Sequence, residues 1–103
     1  MDMETITMQL IVSSGDAKSK AMEAISCAKS GDFAEAKKHL EEAGDFLSAA
    51  HRFQTDIIQE EADGNIEKVS VLMAHAQDHL MNAITIIDMS REFVDLYEKI
   101  NKK

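Results

Sequence analysis

The sequence predicts an all-α fold: an antiparallel, up-down-up three-helix bundle. Three observations carry this reading. The chain has 103 residues with no Pro and four Gly, and is 45% hydrophobic and 29% charged, the profile of a packed helical protein. Apolar residues recur at a spacing of seven through the second and third thirds of the chain. Turn signals fall at two places only, which leaves long helices joined by short connections. A chain of this length reads as a single domain, residues 1–103.

The first helix spans about residues 4–29, with Ile6, Leu10, Ala17, Ala21, Ala24, Ile25 and Ala28 on its apolar face. Most of these are small and permit close approach of a neighbouring helix. Ser30-Gly31-Asp32 supplies a Gly to close this helix and an Asp to cap the next. Glu35 stands where a capping box places its acidic residue. The second helix, 33–62, repeats Phe33, Leu40 and Leu47 alongside Ala36, Ala43, Ala50 and Ile57. Asp63-Gly64-Asn65 breaks the pattern, with Asn65 placed to cap a third helix over 66–100. That helix repeats Ile66, Met73, Leu80, Ile87 and Val94 beside Val69, Ala76, Ala83, Ser90 and Tyr97. Heptads of this kind imply shallow crossing angles. Gly15 and Gly44 interrupt helical patterns, either tolerated or marking close packing. The seven Met residues read as core filler, and Cys27, among alanines, as a small buried apolar group.

The third helix carries a second stripe: Leu72, His75, His79, Asn82, Ile86, Met89, Phe93, Leu96 and Ile100. Its amino-terminal half is polar and its carboxy-terminal half apolar. A three-helix bundle uses one broad face of each helix for its own core. The surplus strip therefore predicts burial against another subunit.

Composition excludes several function classes. A net charge of −8, with basic residues dispersed apart from Lys102-Lys103, argues against nucleic acid as a partner. No apolar run approaches the roughly 20 residues that span a bilayer. The amino terminus lacks the basic-then-apolar order of a signal peptide. With Cys27 alone there is no disulfide framework, and a reducing cytoplasm is expected. Gly-rich phosphate loops, Ser-His-Asp order and paired-carboxylate spacing are all missing from the sequence.

Chemistry concentrates in Met73-Ala74-His75-Ala76-Gln77-Asp78-His79-Leu80. On a helix His75, Asp78 and His79 share one face. Three readings are open. Two His one turn apart suit zinc, but Ala76 stands where zinc proteases carry their catalytic Glu, and no third ligand lies at a recognisable spacing. An imidazole with a carboxylate one turn away can be oriented through one ring nitrogen while the other attacks an electrophile. Polar residues can also simply line a wet seam between subunits. His39, in Lys37-Lys38-His39, reads as part of a solvated face. Gln54 holds a core-type position that fixes register, and His51 beside it could face the His75 region from the second helix.

The run Val71-Leu72-Met73-Ala74-His75-Ala76-Gln77-Asp78-His79-Leu80-Met81 resembles the signature of the lactose/cellobiose family of enzyme IIA proteins of the bacterial sugar phosphotransferase system. Gly15 to Ala24, Gly31-Asp32-Phe33, Ala50-His51, Gln54-Thr55 and Glu61-Ala62-Asp63-Gly64 also look like family positions, so the likeness covers nearly the whole chain. The resemblance implies a homotrimer of three-helix chains. It implies that His75 accepts a phosphoryl group from phospho-HPr and passes it to a cysteine of enzyme IIB. It further implies that Asp78 of each subunit meets at the threefold axis on one divalent cation, with hard oxygen ligands suiting Mg²⁺. His79 is expected to orient or hydrogen-bond the phosphoryl group, and Gln77 to assist. Few fixed cations are expected beside His75, since a carrier must not over-stabilise its phosphohistidine. Among sugars the reading favours cellobiose or a related β-glucoside, with lactose and N,N′-diacetylchitobiose as alternatives. The competing function is a non-enzymatic trimeric helical adaptor.

Overall fold

A computed structural model describes residues 2–102 and contains three helices: α1 (Met3–Lys29), α2 (Phe33–Ala62) and α3 (Val71–Asn101). Met1 and the Lys103 half of the basic tail lie outside the described residues. No strand occurs among the described residues.

Each boundary has a local cause. Asp2 Oδ1 accepts from the Thr5 N–H at 2.8 Å and starts α1. At the other end the Asp32 N–H donates to Cys27 O (2.9 Å) and the Gly31 N–H to Ala28 O (3.0 Å). This is a Schellman closure, and it needs the positive φ of Gly31, +83°. Asp32 then caps α2 by accepting from the Glu35 N–H at 3.1 Å. Gly64, at φ +79°, closes α2 in the same way.

The start of α3 differs from the expected one. The heptad pattern continues back through Val69 to Ile66, yet the helix begins at Val71. Asn65 cannot cap it, because its N–H closes α2 on Glu60 O (2.9 Å) and its amide donates to Glu60 Oε2 (3.0 Å). Ser70 takes the capping role instead, its Oγ accepting from the Met73 N–H at 3.0 Å. Ile66 keeps only its packing role, half-buried against the core, while Val69 is exposed.

The core forms three layers. The first holds Ile6 and Leu10 of α1, Ala50 and Ile57 of α2, and Met73, Ala76 and Leu80 of α3. The second joins Ala17 and Ala21 to Ala43, Ala83 and Ile87. The third joins Ala24 and Ala28 to Ala36 and Val94. From layer to layer, residue numbers rise along α1 and α3 and fall along α2. Alanine on facing positions lets the helices lie close, and α1 packs along both others, which meet each other least. The result is a rod of 57 × 18 × 17 Å.

Other expectations change. A Cβ built on Gly15 would meet nothing within 4 Å, and one on Gly44 only Arg91 Nη2 at 3.9 Å, so neither glycine marks close packing. Met73 is buried, but Met8, Met22, Met81 and Met89 are exposed rather than core filler. On α3 the exposed large apolar side chains include Val71, Met89, Phe93, Leu96 and Ile100. Within a single chain this face has no partner.

Candidate functional site

The site sits in the first two turns of α3, against the first core layer. Ala76 and Leu80 anchor the helix there with no exposed surface. That anchoring turns His75 to solvent and leaves His79 half-buried at the border with α1. The two rings meet edge to face, with centroids 4.5 Å apart and planes at 85°. Their Nε2 atoms stand 3.1 Å apart. From α1, the Lys18 ammonium donates to His79 Nδ1 at 2.7 Å.

A cation therefore stands one imidazole away from His75. Lys18 is a contact of this pair that the motif itself does not contain. One sign of it was available: it directly follows the buried Ala17, so it emerges at the border of the core, where a long side chain reaches the next helix. Burial is the main cause that holds the His79 pKa below its ordinary 6.5, and the charges of Lys18 and His75 add to it. Asp78 acts in the opposite direction. The outcome is a neutral imidazole poised against His75.

Gln77 is not brought to His75. Two residues apart on a helix, they point to different sides. Gln77 instead faces α2, where its Oε1 accepts from Gln54 Nε2 at 2.8 Å. Gln54 thus fixes α2 against α3 in the manner its core-type position suggested. His51 is exposed and borders a shallow groove with Arg52, Phe53, Thr55 and Asp56, away from the His75–His79 pair.

Asp78 shares the exposed face of α3. The ion pairs among the described residues join other carboxylates, and Asp78 is left exposed and unpaired. Leu96 lies about five turns further along the same line of the helix, so Asp78 opens the strip that the exposed apolar residues continue. No cluster of three or more metal-competent His, Cys, Asp or Glu side chains occurs in the single chain among the described residues. The zinc reading gains no third ligand.

His39 departs from its expected solvated place. It is largely buried between α1 and α2, with Nδ1 3.6 Å from both Glu23 Oε2 and Glu42 Oε1. Lys20 bridges the same two carboxylates, at 3.4 and 3.2 Å. This cluster fastens α1 to α2 and lies apart from the His75 pair.

Comparison with known proteins agrees with the geometry. The family described as "PTS system, Lactose/Cellobiose specific IIA subunit" matches residues 5–98. The chain is 52% identical over 102 residues to the lichenan-specific phosphotransferase enzyme IIA component of Bacillus subtilis (strain 168), covering 99% of this chain and 93% of that one. It superposes with a TM-score of 0.94 on the crystal structure of the PTS cellobiose-specific enzyme IIA from Bacillus anthracis, at 50% identity, covering 100% of this chain and 94% of that one. It also superposes on the enzyme IIA of the Escherichia coli N,N′-diacetylchitobiose branch, solved in complex with HPr, with a TM-score of 0.86 and 38% identity, covering 98% of each chain. An exposed histidine backed by a second one, on a three-helix frame matched over almost its whole length, places this chain in the lactose/cellobiose-specific enzyme IIA family of the phosphotransferase system.

Proposed function

We propose that this chain is a phosphoryl carrier in which His75 accepts a phosphoryl group from phospho-HPr and passes it to a cysteine of enzyme IIB. The observation that carries the proposal is the exposed His75 ring, supported from behind by the neutral His79. Phosphoryl transfer between carriers passes through a loose transition state that needs mainly alignment and charge stabilisation. An exposed imidazole can be reached in line by a partner's phosphohistidine. His79 Nε2, beside His75 Nε2, is placed to bond an oxygen of the arriving group. Gln77 contributes by holding the first turns of α3 to α2 through Gln54. The enzyme IIA of the chitobiose branch solved with HPr supports that partner.

The assembly we propose is a homotrimer of up-down-up bundles, closed along the exposed apolar strip of α3. The order of residue numbers through the core layers supports the bundle topology. Phe93, Leu96 and Ile100, 42%, 52% and 54% exposed in the single chain, support the closure. Asp78 fits a shared ion: three unpaired carboxylates brought together repel, and a hard divalent cation such as Mg²⁺ would neutralise them. Such an ion serves assembly, with His75 left to the transfer. The sugar we assign is cellobiose or a related β-glucoside, supported by the lichenan- and cellobiose-specific relatives. The carrier acts in the cytoplasm; among the described residues no helix is long and apolar enough to cross a membrane.

The test is incubation with phosphoenolpyruvate, enzyme I and HPr. Acid-labile phosphate is expected on His75, and His75→Gln is expected to abolish it with an unchanged circular dichroism spectrum. Retained labelling in that variant would refute the assignment.

A further inference from the structure

We infer that Lys18 is a positioning residue that acts through His79 to fix the tautomer of His75. This deepens the carrier reading above and rests on it only for its consequence in transfer. An ammonium has hydrogens to donate and nothing to accept with. With Lys18 Nζ 2.7 Å from His79 Nδ1, that nitrogen must present its lone pair. A neutral His79 therefore carries its proton on Nε2. That N–H faces His75 Nε2 at 3.1 Å and can only be met by a lone pair there. His75 in turn keeps its proton on Nδ1. Three side chains, on two helices and 61 residues apart at the Lys18–His79 link, thus form one directional relay.

The relay has a chemical consequence at His75. The lone pair that attacks phosphorus resides on Nε2, and the ring proton is already on the other nitrogen. As the new N–P bond forms at Nε2, the donor's N–P bond breaks and its electron pair returns to the donor's imidazole nitrogen. The proton on His75 Nδ1 stays where it is, so no proton has to move between the two rings. His79 Nε2–H, released from the lone pair now used in bonding, turns to an oxygen of the phosphoryl group. Without Lys18, His79 can flip or exchange tautomers and present a bare nitrogen to His75. His75 would then carry its proton on Nε2, the form that cannot attack from that atom.

The relay is read directly in the unphosphorylated protein by long-range ¹H–¹⁵N correlation spectra of ¹⁵N-histidine-labelled samples near pH 7.5. The wild type is expected to show His79 protonated on Nε2 and His75 on Nδ1. In Lys18→Met both rings are expected to become tautomer mixtures. The rate of His75 labelling by phospho-HPr should then fall about fivefold, following the fraction of rings left competent. Lys18→Arg, which keeps a cationic donor, should restore both the wild-type tautomers and most of the rate. A wild-type His75 protonated on Nε2, or a Lys18→Met spectrum identical to the wild type, overturns the inference. The wild-type spectrum decides the matter even if Lys18→Met folds poorly. Failure of the carrier reading looks different: His75 then stays unlabelled while the tautomers remain as described.

Discussion

The His75–His79 pair sets one imidazole edge to face against another, with their Nε2 atoms 3.1 Å apart. The pairing is legible in the sequence because i and i+4 on one helix are local. Its support from Lys18 is not, since that depends on how α1 and α3 align 61 residues apart. His39 departs from a solvated place for a related reason: its run of Lys neighbours suggests solvent, while Glu23 on another helix helps set its surroundings. Cys27 packs beside Ala24, Ala28 and Ala36, but half-buried rather than buried as its alanine neighbours suggest. Burial is the main cause that raises its thiol above the ordinary 9.0, with the charges of Asp32, Glu35 and Glu23 adding to it. A raised thiol holds less thiolate at any given pH. Alkylation of Cys27 by iodoacetamide is therefore expected to reach half its maximal rate above pH 9.0. A plateau already reached at pH 8 would contradict this.

Helix existence and most helix ends were written in the sequence, since Gly31 and Gly64 supply the closures and Asp32 the cap. The start of α3 was not. Periodicity reports which residues face the core, and Ile66 does face it, but from a non-helical segment. Capping competition settled the boundary, with Asn65 spent on α2 and Ser70 taking up α3. Ser70→Ala removes that cap and is expected to lower stability by about 1 kcal/mol. A urea midpoint measured at fixed protein concentration checks it, with the largest loss of amide-exchange protection in the first turn of α3. An unchanged midpoint would mean that tertiary packing, rather than the hydroxyl, starts the helix.

At the scale of the molecule, three core layers, two of them alanine-rich, make a thin rod whose α3 retains an uncovered face. The second stripe on that helix was visible as a pattern because a lone bundle has no use for it. The proposed ion belongs to the same face. In Asp78→Leu the three carboxylates of the proposed trimer are gone, so the charge to be neutralised goes with them. That variant is expected to sediment as a trimer with no bound divalent metal by elemental analysis, and loss of the trimer would refute a purely compensating role for the ion. The division of this face has one more effect. Met89, Phe93, Leu96 and Ile100 lie toward the carboxy end of α3, and His75 and Asp78 lie near the amino end. Cyclic symmetry keeps like ends together. The proposed trimer, closed on this face, would carry its three His75 rings at one end of the rod. A partner that left one ring would then have two others within reach, so each encounter with such a trimer would offer several chances of transfer.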